Sequence, residues 1–296
     1  MLAPWLELPG AGERIGQWSE AAELDLRRLG TTADADEIKD TAVTQPLVVA
    51  LSLLVFEQLV GRVELPADLV TAGHSVGELT AAAIAGVLDG DDAVALAAAR
   101  GREMAAACAT EPTGMAAVLG GDQDEVLAAL AELGLDPANR NATGQIVAAG
   151  PRAALDQLEA QPPQRTRITR LAVAGAFHTG YMAPARAALA ERAASISVRD
   201  PRYTLLSNAD GTPVRTGAEV LRRLVAQVTA PVRWDACMTT MREHGVTVTV
   251  ELPPGRTLTG MIKRELRGMT TLAIKQPEDL DTAADLVTRQ TVGSPA

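Results

Sequence analysis

The chain has 296 residues, of which 47% are hydrophobic and 22% charged, and its formal net charge is −10. This length allows one large domain, or one with a smaller companion. The negative charge and an aromatic content of 2% argue against nucleic acid as a partner, since such proteins need basic and base-stacking surfaces.

The first part of the chain is predicted to be helical. Apolar side chains at near-helical spacing predict one amphipathic helix over residues 13–29. Pro46 suits a first helical turn, which predicts an apolar helix over 47–60. No apolar run reaches the roughly 18 residues of a membrane helix, and the first residues lack the basic region of a signal peptide. Cys108 and Cys237 lie far apart without metal-ligand spacing, so we expect reduced thiols in a cytoplasmic protein that does not enter a membrane.

Residues 73–77 read Gly-His-Ser-Val-Gly, between a short apolar run at 69–72 and an alanine-rich helical stretch at 78–87. This context predicts a nucleophile elbow, in which Ser75 occupies a sharp strand-to-helix turn. The N–H groups at the start of the helix would then face the serine oxygen, where an oxyanion forms. The simpler alternative is a glycine-flanked turn whose serine caps a helix. The flanking elements favour the elbow and therefore an enzyme that transfers or hydrolyses acyl groups.

The rest of the chain alternates between strands and helices. After a helix at 91–109, the order strand-helix-strand-strand-helix-strand over 113–175 is typical of a ferredoxin-like (βαββαβ) subdomain, with strands at 115–119, 138–141, 145–149 and 167–173. Further strands are predicted at 204–207, 247–251 and 270–274, and helices at 181–195, 217–227 and 234–244. We therefore predict an α/β fold: an α/β-hydrolase-like, doubly wound parallel sheet domain formed by 1–112 and 176–288, the inserted subdomain at 113–175, and a loose tail at 289–296.

A serine nucleophile needs a base, and the chain has three histidines. His74 adjoins Ser75, so its side chain would leave the turn in another direction and pack beneath it. His244 ends a polar helix, where histidine commonly acts as a cap. His178, in a loop of small residues, is by elimination the best candidate base, although nothing local to it requires that role.

These motifs closely resemble those of the malonyl-CoA:acyl carrier protein transacylases of type II fatty acid synthesis. The resemblance rests on Gly-His-Ser-Val-Gly-Glu at 73–78 and Gly-Ala-Phe-His at 175–178, and extends over about residues 5–281. It includes Thr-Gln-Pro at 44–46, Arg-Gly at 100–101, Asn141 with Gln145 and Gly150, Ser-Asn at 207–208, Pro-Val-Arg-Trp at 231–234, and 251–260.

The resemblance implies a role for each catalytic position. Ser75 would attack the thioester of malonyl-CoA, and His178 would take and return its proton. The backbone carbonyl of Gln227, in place of an aspartate, would orient the imidazole. The backbone N–H of Val76 would be one oxyanion donor.

The resemblance also implies a set of substrate-binding residues. Arg100 would hold the malonyl carboxylate through parallel hydrogen bonds, and Gln45 would line the same pocket. The bulk of Phe177 would leave little room for an α-methyl branch, which favours malonyl over methylmalonyl groups. The resemblance also places Asn208 among the substrate-binding residues. The partners would be malonyl-CoA and acyl carrier protein of fatty acid or polyketide synthesis, with no metal or cofactor beyond these substrates, and we expect a monomer.

One feature departs from the family pattern. Its members usually begin with a strand and a Gly-Gln-Gly turn whose glutamine supplies a second oxyanion N–H. This chain opens with Met-Leu-Ala-Pro-Trp, which resembles the segment after that turn. We therefore expect the first strand and one oxyanion donor to be missing from this sequence.

Two other functions stay open at this stage. An α/β-hydrolase-type esterase or thioesterase would use the same elbow, but there an acid separates the serine from a histidine late in the chain. An inactive, N-terminally truncated transacylase would share every motif and lack the activity.

Overall fold

The structure is a computed structural model that describes residues 1–293, with side chains described to residue 290. The α-helices in this range are α1 (Ala11–Ala22), α2 (Leu26–Thr31), α3 (Ala35–Lys39), α4 (Thr41–Val60), α5 (Gly77–Ile84), α6 (Gly90–Cys108), α7 (Gln123–Glu132), α8 (Arg152–Ala160), α9 (Ala183–Ala193), α10 (Gly217–Ala226), α11 (Trp234–Glu243), α12 (Thr257–Glu265) and α13 (Asp279–Gly293). Short 3-10 helices lie at Ala3–Glu7, Gly180–Met182 and Gln227–Thr229.

The strands of the described range are β1 (Val70–Thr71), β2 (Thr113–Gly120), β3 (Asp136–Ala142), β4 (Gln145–Pro151), β5 (Thr166–Arg170), β6 (Thr204–Leu206), β7 (Pro213–Val214), β8 (Val232–Arg233), β9 (Val248–Glu251) and β10 (Thr270–Ala273). They form three sheets, with strand orders β1-β6-β7, β10-β9 and β5-β2-β4-β3-β8. The protein is thus an α/β fold with both parallel and antiparallel strand pairs.

The main core is built around the apolar helix α4, which packs against α1, α5 and α6. Gly101 of α6 makes this approach possible, since a Cβ there would lie 2.6 Å from the carbonyl oxygen of Thr41. By length and composition α4 could cross a membrane, but 61% of its most apolar window is buried inside the fold. Such burial is typical of the core helix of a globular protein. Core helices of this kind can be as long and as apolar as a membrane-spanning helix.

The elements predicted for 113–175 are present in the expected order, β2-α7-β3-β4-α8-β5. β2 pairs antiparallel with both β4 and β5, and β3 pairs antiparallel with β4. Helices α7 and α8 cover one face of this sheet, around Val126, Leu130, Leu155 and Leu158. The short β8 adds to it in parallel, so this sheet extends beyond the predicted segment.

The parallel strands are divided between two small sheets. β1 pairs in parallel with β6, and β9 with β10. β1 and β9 are edge strands of their sheets, and both border one cavity of about 680 Å³. Apolar side chains such as Val147, Trp234 and Met261 line much of its wall, and Gly73, His74, Val76 and Gly77 of the turn after β1 form another part. Within the described residues the parallel pairs β1–β6 and β9–β10 are thus assigned to separate sheets.

Two predictions about helices are wrong. Residues 13–29 form two helices, because Glu23 adopts a left-handed φ of 56° and Asp25 caps α2 by accepting the Arg28 N–H. α4 begins at Thr41 after the capping Asp40, so Pro46 lies inside the helix and does not open it. The tail predicted from 289 continues α13 to Gly293, and residues 294–296 lie outside the described range.

Candidate active site

Ser75 occupies the turn between β1 and α5 in a strained backbone conformation. Its φ is 52°, a region that non-glycine residues rarely adopt. Gly73 is required by sterics, since a Cβ there would lie 2.0 Å from the Gly77 carbonyl oxygen. The Asn208 side chain holds the turn from both sides: Oδ1 accepts the Ser75 N–H at 2.8 Å, and Nδ2 donates to the Gly73 carbonyl at 2.7 Å. The turn therefore presents the serine hydroxyl from a fixed backbone.

His178 lies beside this hydroxyl, 103 residues further along the chain. Its Nε2 is 2.7 Å from Ser75 Oγ, and its Nδ1 is 2.8 Å from the Gln227 carbonyl oxygen. A carbonyl only accepts hydrogen bonds, so Nδ1 carries the proton and Nε2 presents its lone pair to the serine. Burial, and next the positive charge of Arg100, lower the pKa of His178 to about 3, while the hydrogen bond that Nδ1 donates to the Gln227 carbonyl acts in the opposite direction. The imidazole is therefore neutral near pH 7 and available as a base.

Arg100 reaches the same hydroxyl from α6. The side chain is 2% exposed, and its Nη2 donates to Ser75 Oγ at 3.1 Å and to Gln227 Oε1 at 2.9 Å. Its Nη1 donates to Gln45 Oε1, while Gln45 Nε2 donates to Thr41 Oγ1. Burial lowers the pKa of Arg100 to about 10, which leaves it charged at pH 7. These partners are all neutral, so the guanidinium can bind a carboxylate without first breaking a salt bridge.

The backbone N–H of Val76 lies at the start of α5, directly after the nucleophile. Within residues 1–293 no residue accepts a hydrogen bond from it. The helix dipole adds partial positive charge at the same place. This N–H can therefore donate to an oxyanion that forms on a carbonyl attacked by Ser75.

The other two predicted substrate-binding residues occupy different environments. Asn208 is fully buried, and besides holding the turn its Oδ1 accepts from Gln227 Nε2 at 3.1 Å. Its amide hydrogen-bonds inside the protein and holds the elbow. Phe177 is half-buried and packs against both the main core and a second apolar cluster, which lies on the five-stranded sheet around Met115 and Val147.

The remaining histidines and the cysteines have other environments. His74 is hydrogen-bonded to Asn141 at 2.8 Å and packs edge-on to Trp234, and burial lowers its pKa. His244 Nδ1 bonds the Thr240 carbonyl at the end of α11. Burial raises the pKa of Cys237 to about 12, which makes it a poor nucleophile. Cys108 is a free thiol, and residues 1–293 contain no group of three or more potential metal-ligating side chains.

Sequence reasoning missed one participant in this network, the buried carboxyl of Glu78. Its Oε2 accepts from Gln227 Nε2 at 2.5 Å and its Oε1 from the Asn208 N–H at 3.2 Å. Burial raises the pKa of Glu78 to about 7, although hydrogen bonds and the charge of Arg100 oppose the shift. The signal in the sequence was a single acid three residues after the nucleophile, at the start of an otherwise apolar and alanine-rich helix.

Comparisons with known proteins agree on one family. The acyl transferase domain family matches residues 19–291. The malonyl CoA-acyl carrier protein transacylase of Mycobacterium tuberculosis is 60% identical over 287 residues, which cover 97% of this chain and 95% of that relative. The crystal structure of the M. tuberculosis transacylase superposes with a TM-score of 0.92 at 58% identity, covering 96% of this chain and 94% of that one. A malonyl-transacylase solved in complex with a type II polyketide acyl carrier protein superposes with a TM-score of 0.89 at 29% identity, covering 97% and 94% of the two chains.

Proposed function

This chain belongs to the acyl transferase domain family, among the malonyl-CoA:acyl carrier protein transacylases, and we propose that it moves the malonyl group through an ester on Ser75. The group passes from malonyl-CoA to the phosphopantetheine thiol of acyl carrier protein, a step that supplies fatty acid or polyketide synthesis. The observation that carries this mechanism is the shared contact at Ser75 Oγ, with the His178 nitrogen at 2.7 Å and an Arg100 nitrogen at 3.1 Å. A base and a carboxylate-binding cation thus meet at one nucleophile.

In the first half-reaction Ser75 Oγ attacks the thioester carbonyl of malonyl-CoA while its proton passes to His178 Nε2. The carbonyl oxygen becomes an oxyanion that accepts the Val76 N–H. Collapse of this intermediate breaks the carbon–sulfur bond, and His178 returns the proton to the departing CoA sulfur. The products are free CoA and malonyl-Ser75, with the imidazole neutral again.

The second half-reaction reverses these steps on the carrier. His178 takes the proton of the phosphopantetheine thiol, and the thiolate attacks the ester carbonyl. The carbon–oxygen bond to Ser75 breaks and the proton returns to Oγ. The enzyme is regenerated, and no metal or cofactor beyond the two substrates takes part in this scheme.

Arg100 gives the reaction its preference for a carboxylated acyl group. Its fork of N–H donors matches a carboxylate, and acyl groups without one leave this buried cation unpaired. The same charge lowers the pKa of His178, so a malonyl carboxylate paired with Arg100 offsets that effect and makes the base stronger. Malonyl binding thereby prepares the group that activates the serine. Gln45 accepts a hydrogen bond from the Arg100 guanidinium and so holds it in place before the substrate binds. The bulk of Phe177 beside His178 favours malonyl over methylmalonyl groups.

We also propose a finer description of the fold, a cellular location and an oligomeric state. The order and pairing of β2 to β5 support a ferredoxin-like subdomain inserted in the acyltransferase core. The parallel pairs β1–β6 and β9–β10 support a doubly wound, α/β-hydrolase-like arrangement around it. We place the enzyme in the cytoplasm, where its two substrates meet, and infer that it works as a monomer.

Labelling with radioactive malonyl-CoA in the absence of carrier tests this mechanism. The parent should retain one malonyl group on the peptide that contains Ser75, and added carrier protein should remove it. Ser75→Ala should take up no label, whereas Ser195→Ala, which changes an exposed serine, should behave as the parent. Equal labelling of Ser75→Ala and the parent would reject the serine ester. Fast hydrolysis of a nitrophenyl ester without a thiol acceptor would favour an esterase instead.

A further inference from the structure

Glu78 is a buried acid with no part in the proton transfers proposed above. It is 3% exposed and lies in the first turn of α5, three residues after the nucleophile. Burying a carboxyl group costs free energy unless its oxygens are well hydrogen-bonded. Here the side chain of Gln227 and the backbone of Asn208 supply those bonds, from a region about 130 to 150 residues away in sequence.

The amide of Gln227 lies between this acid and the arginine. Its Nε2 donates to Glu78 Oε2 at 2.5 Å, and its Oε1 accepts from Arg100 Nη2 at 2.9 Å. Above its pKa of about 7 the Glu78 carboxylate only accepts hydrogen bonds, and a guanidinium only donates them. One orientation of the amide satisfies both neighbours, and the flipped orientation opposes donor to donor and acceptor to acceptor. Ser75 and Asn208 add weaker acceptors on the Nε2 side, at 3.1 Å each, and so favour the same orientation.

We propose that Glu78 is a positioning residue, which fixes the orientation of the Gln227 side-chain amide and thereby aims the Arg100 guanidinium at the malonyl carboxylate. This inference rests on the proposed function, since it concerns the group that binds the acyl carboxylate. The orientation of His178 depends on the backbone carbonyl of Gln227 and not on this amide. Glu78 therefore acts on substrate preference and leaves the base unaffected.

Glu78→Gln is the sharpest test because it keeps the size of the side chain and removes its acceptor-only character. A glutamine at 78 must turn an NH₂ group toward either the Gln227 amide or the Asn208 N–H. If the Gln227 amide flips in response, its own NH₂ group faces Arg100 and the guanidinium loses an acceptor. Glu132→Gln, an exposed change on α7, is the matched control.

The experiment measures acylation of the enzyme by malonyl-CoA and by acetyl-CoA, which lacks the carboxylate. In Glu78→Gln the KM for malonyl-CoA should rise about tenfold, the equivalent of one charge-assisted hydrogen bond, with kcat and the acetyl rate within about threefold of the parent. Gln227→Ala keeps the backbone carbonyl and removes the acceptor of Arg100 Nη2, so its malonyl-to-acetyl ratio should fall in the same direction. In the double variant the two effects should not add, because both act on the same contact to Arg100.

The outcomes separate this proposal from simpler ones. An equal fall in the malonyl and acetyl rates of Glu78→Gln would assign Glu78 a purely structural role and overturn the proposal, as would additive effects in the double variant. Should Glu78→Gln fail to fold, Glu78→Asp decides, because it keeps the carboxylate but draws it back from the Gln227 amide. An unchanged malonyl-to-acetyl ratio in Glu78→Asp overturns the proposal, and a selective loss for malonyl supports it. Failure of the proposed function would appear separately, as absence of a malonyl ester in the parent.

Discussion

Replacement of Arg100 by methionine should convert a malonyl-selective enzyme into one that hardly distinguishes malonyl from acetyl groups. Methionine has a similar length and suits a side chain that is 2% exposed, but it offers no donor to a carboxylate. His178 and Ser75 keep their mutual contact in this variant. The change therefore removes the carboxylate-binding group together with its hydrogen bond to Ser75 Oγ and its charge beside His178, and keeps the nucleophile and base themselves.

The size of the effect follows from the hydrogen bonds of Arg100. A bound carboxylate gains two charge-assisted bonds of about 1.5–3 kcal/mol each. Part of this is offset, because the guanidinium gives up contacts to Gln45 or Gln227 that it makes without substrate. A net loss of about 3 kcal/mol corresponds to roughly 10²-fold in kcat/KM for malonyl-CoA. Acetyl-CoA never makes these bonds, and its rate should stay within about threefold.

The assay is single-turnover acylation of each variant by malonyl-CoA and acetyl-CoA at several concentrations. Arg102→Met, an exposed change on the same helix, controls for the substitution itself. Arg100→Lys keeps the charge and loses the fork, and should fall between Met and the parent. A thermal unfolding curve checks that loss of the guanidinium, which leaves oxygens of Gln45 and Gln227 unpaired, has not unfolded the site. A malonyl-to-acetyl ratio in Arg100→Met equal to that of the parent would refute the assignment of Arg100 to the carboxylate.

Three further predictions concern the framework of the site. Gly73→Ala should lower the free energy of unfolding by about 3 kcal/mol in a urea titration, since its Cβ would overlap the Gly77 carbonyl, whereas Gly77→Ala, whose Cβ meets nothing within 4 Å, should unfold like the parent. Asn208→Ala should cost about 2–3 kcal/mol by the same measurement, because it leaves the Ser75 N–H and the Gly73 carbonyl without partners. A loss no larger than that of Gln157→Ala, an exposed amide on α8, would contradict the role of Asn208 as the residue that holds the elbow. The pKa of Glu78 is raised from 4.5 to about 7, so between these pH values the folded state holds a proton that the unfolded state releases. The contribution of Glu78 to the free energy of unfolding should therefore fall as pH rises from 4.5 to about 7 and stay constant above that pH. The stability of the parent relative to Glu78→Gln should therefore fall by up to about 3 kcal/mol across that window, and a constant difference would show that Glu78 does not titrate there.

The sequence predicted the parts of the site that local chemistry specifies. The elbow was recognisable because a nucleophile on a strand-to-helix turn needs small neighbours on both sides, and the chain supplies glycine at 73 and 77. Elimination among three histidines pointed to His178, which the structure places 2.7 Å from Ser75. Arg100 and Gln45 could be named only through the resemblance to a family, because nothing in their own segments marks an arginine or glutamine as buried.

What sequence reasoning missed depends on distant contacts or on single backbone angles. The function of Glu78 depends on the amide of Gln227, 149 residues away, and no periodicity encodes that pairing. The break between α1 and α2 depends on a left-handed Glu23, whereas the apolar spacing continues across it. Strands β7 and β8 have two residues each, too few for an alternating pattern to appear.

The main chain and the side chain of Gln227 have separate partners in the proposed mechanism, His178 and Arg100. Its main-chain carbonyl orients the base, and every amino acid has that group. Its side chain holds the arginine that reads the acyl group. Mutation at this codon can therefore change acyl preference while the geometry of the base survives, a freedom that a catalytic aspartate would not allow.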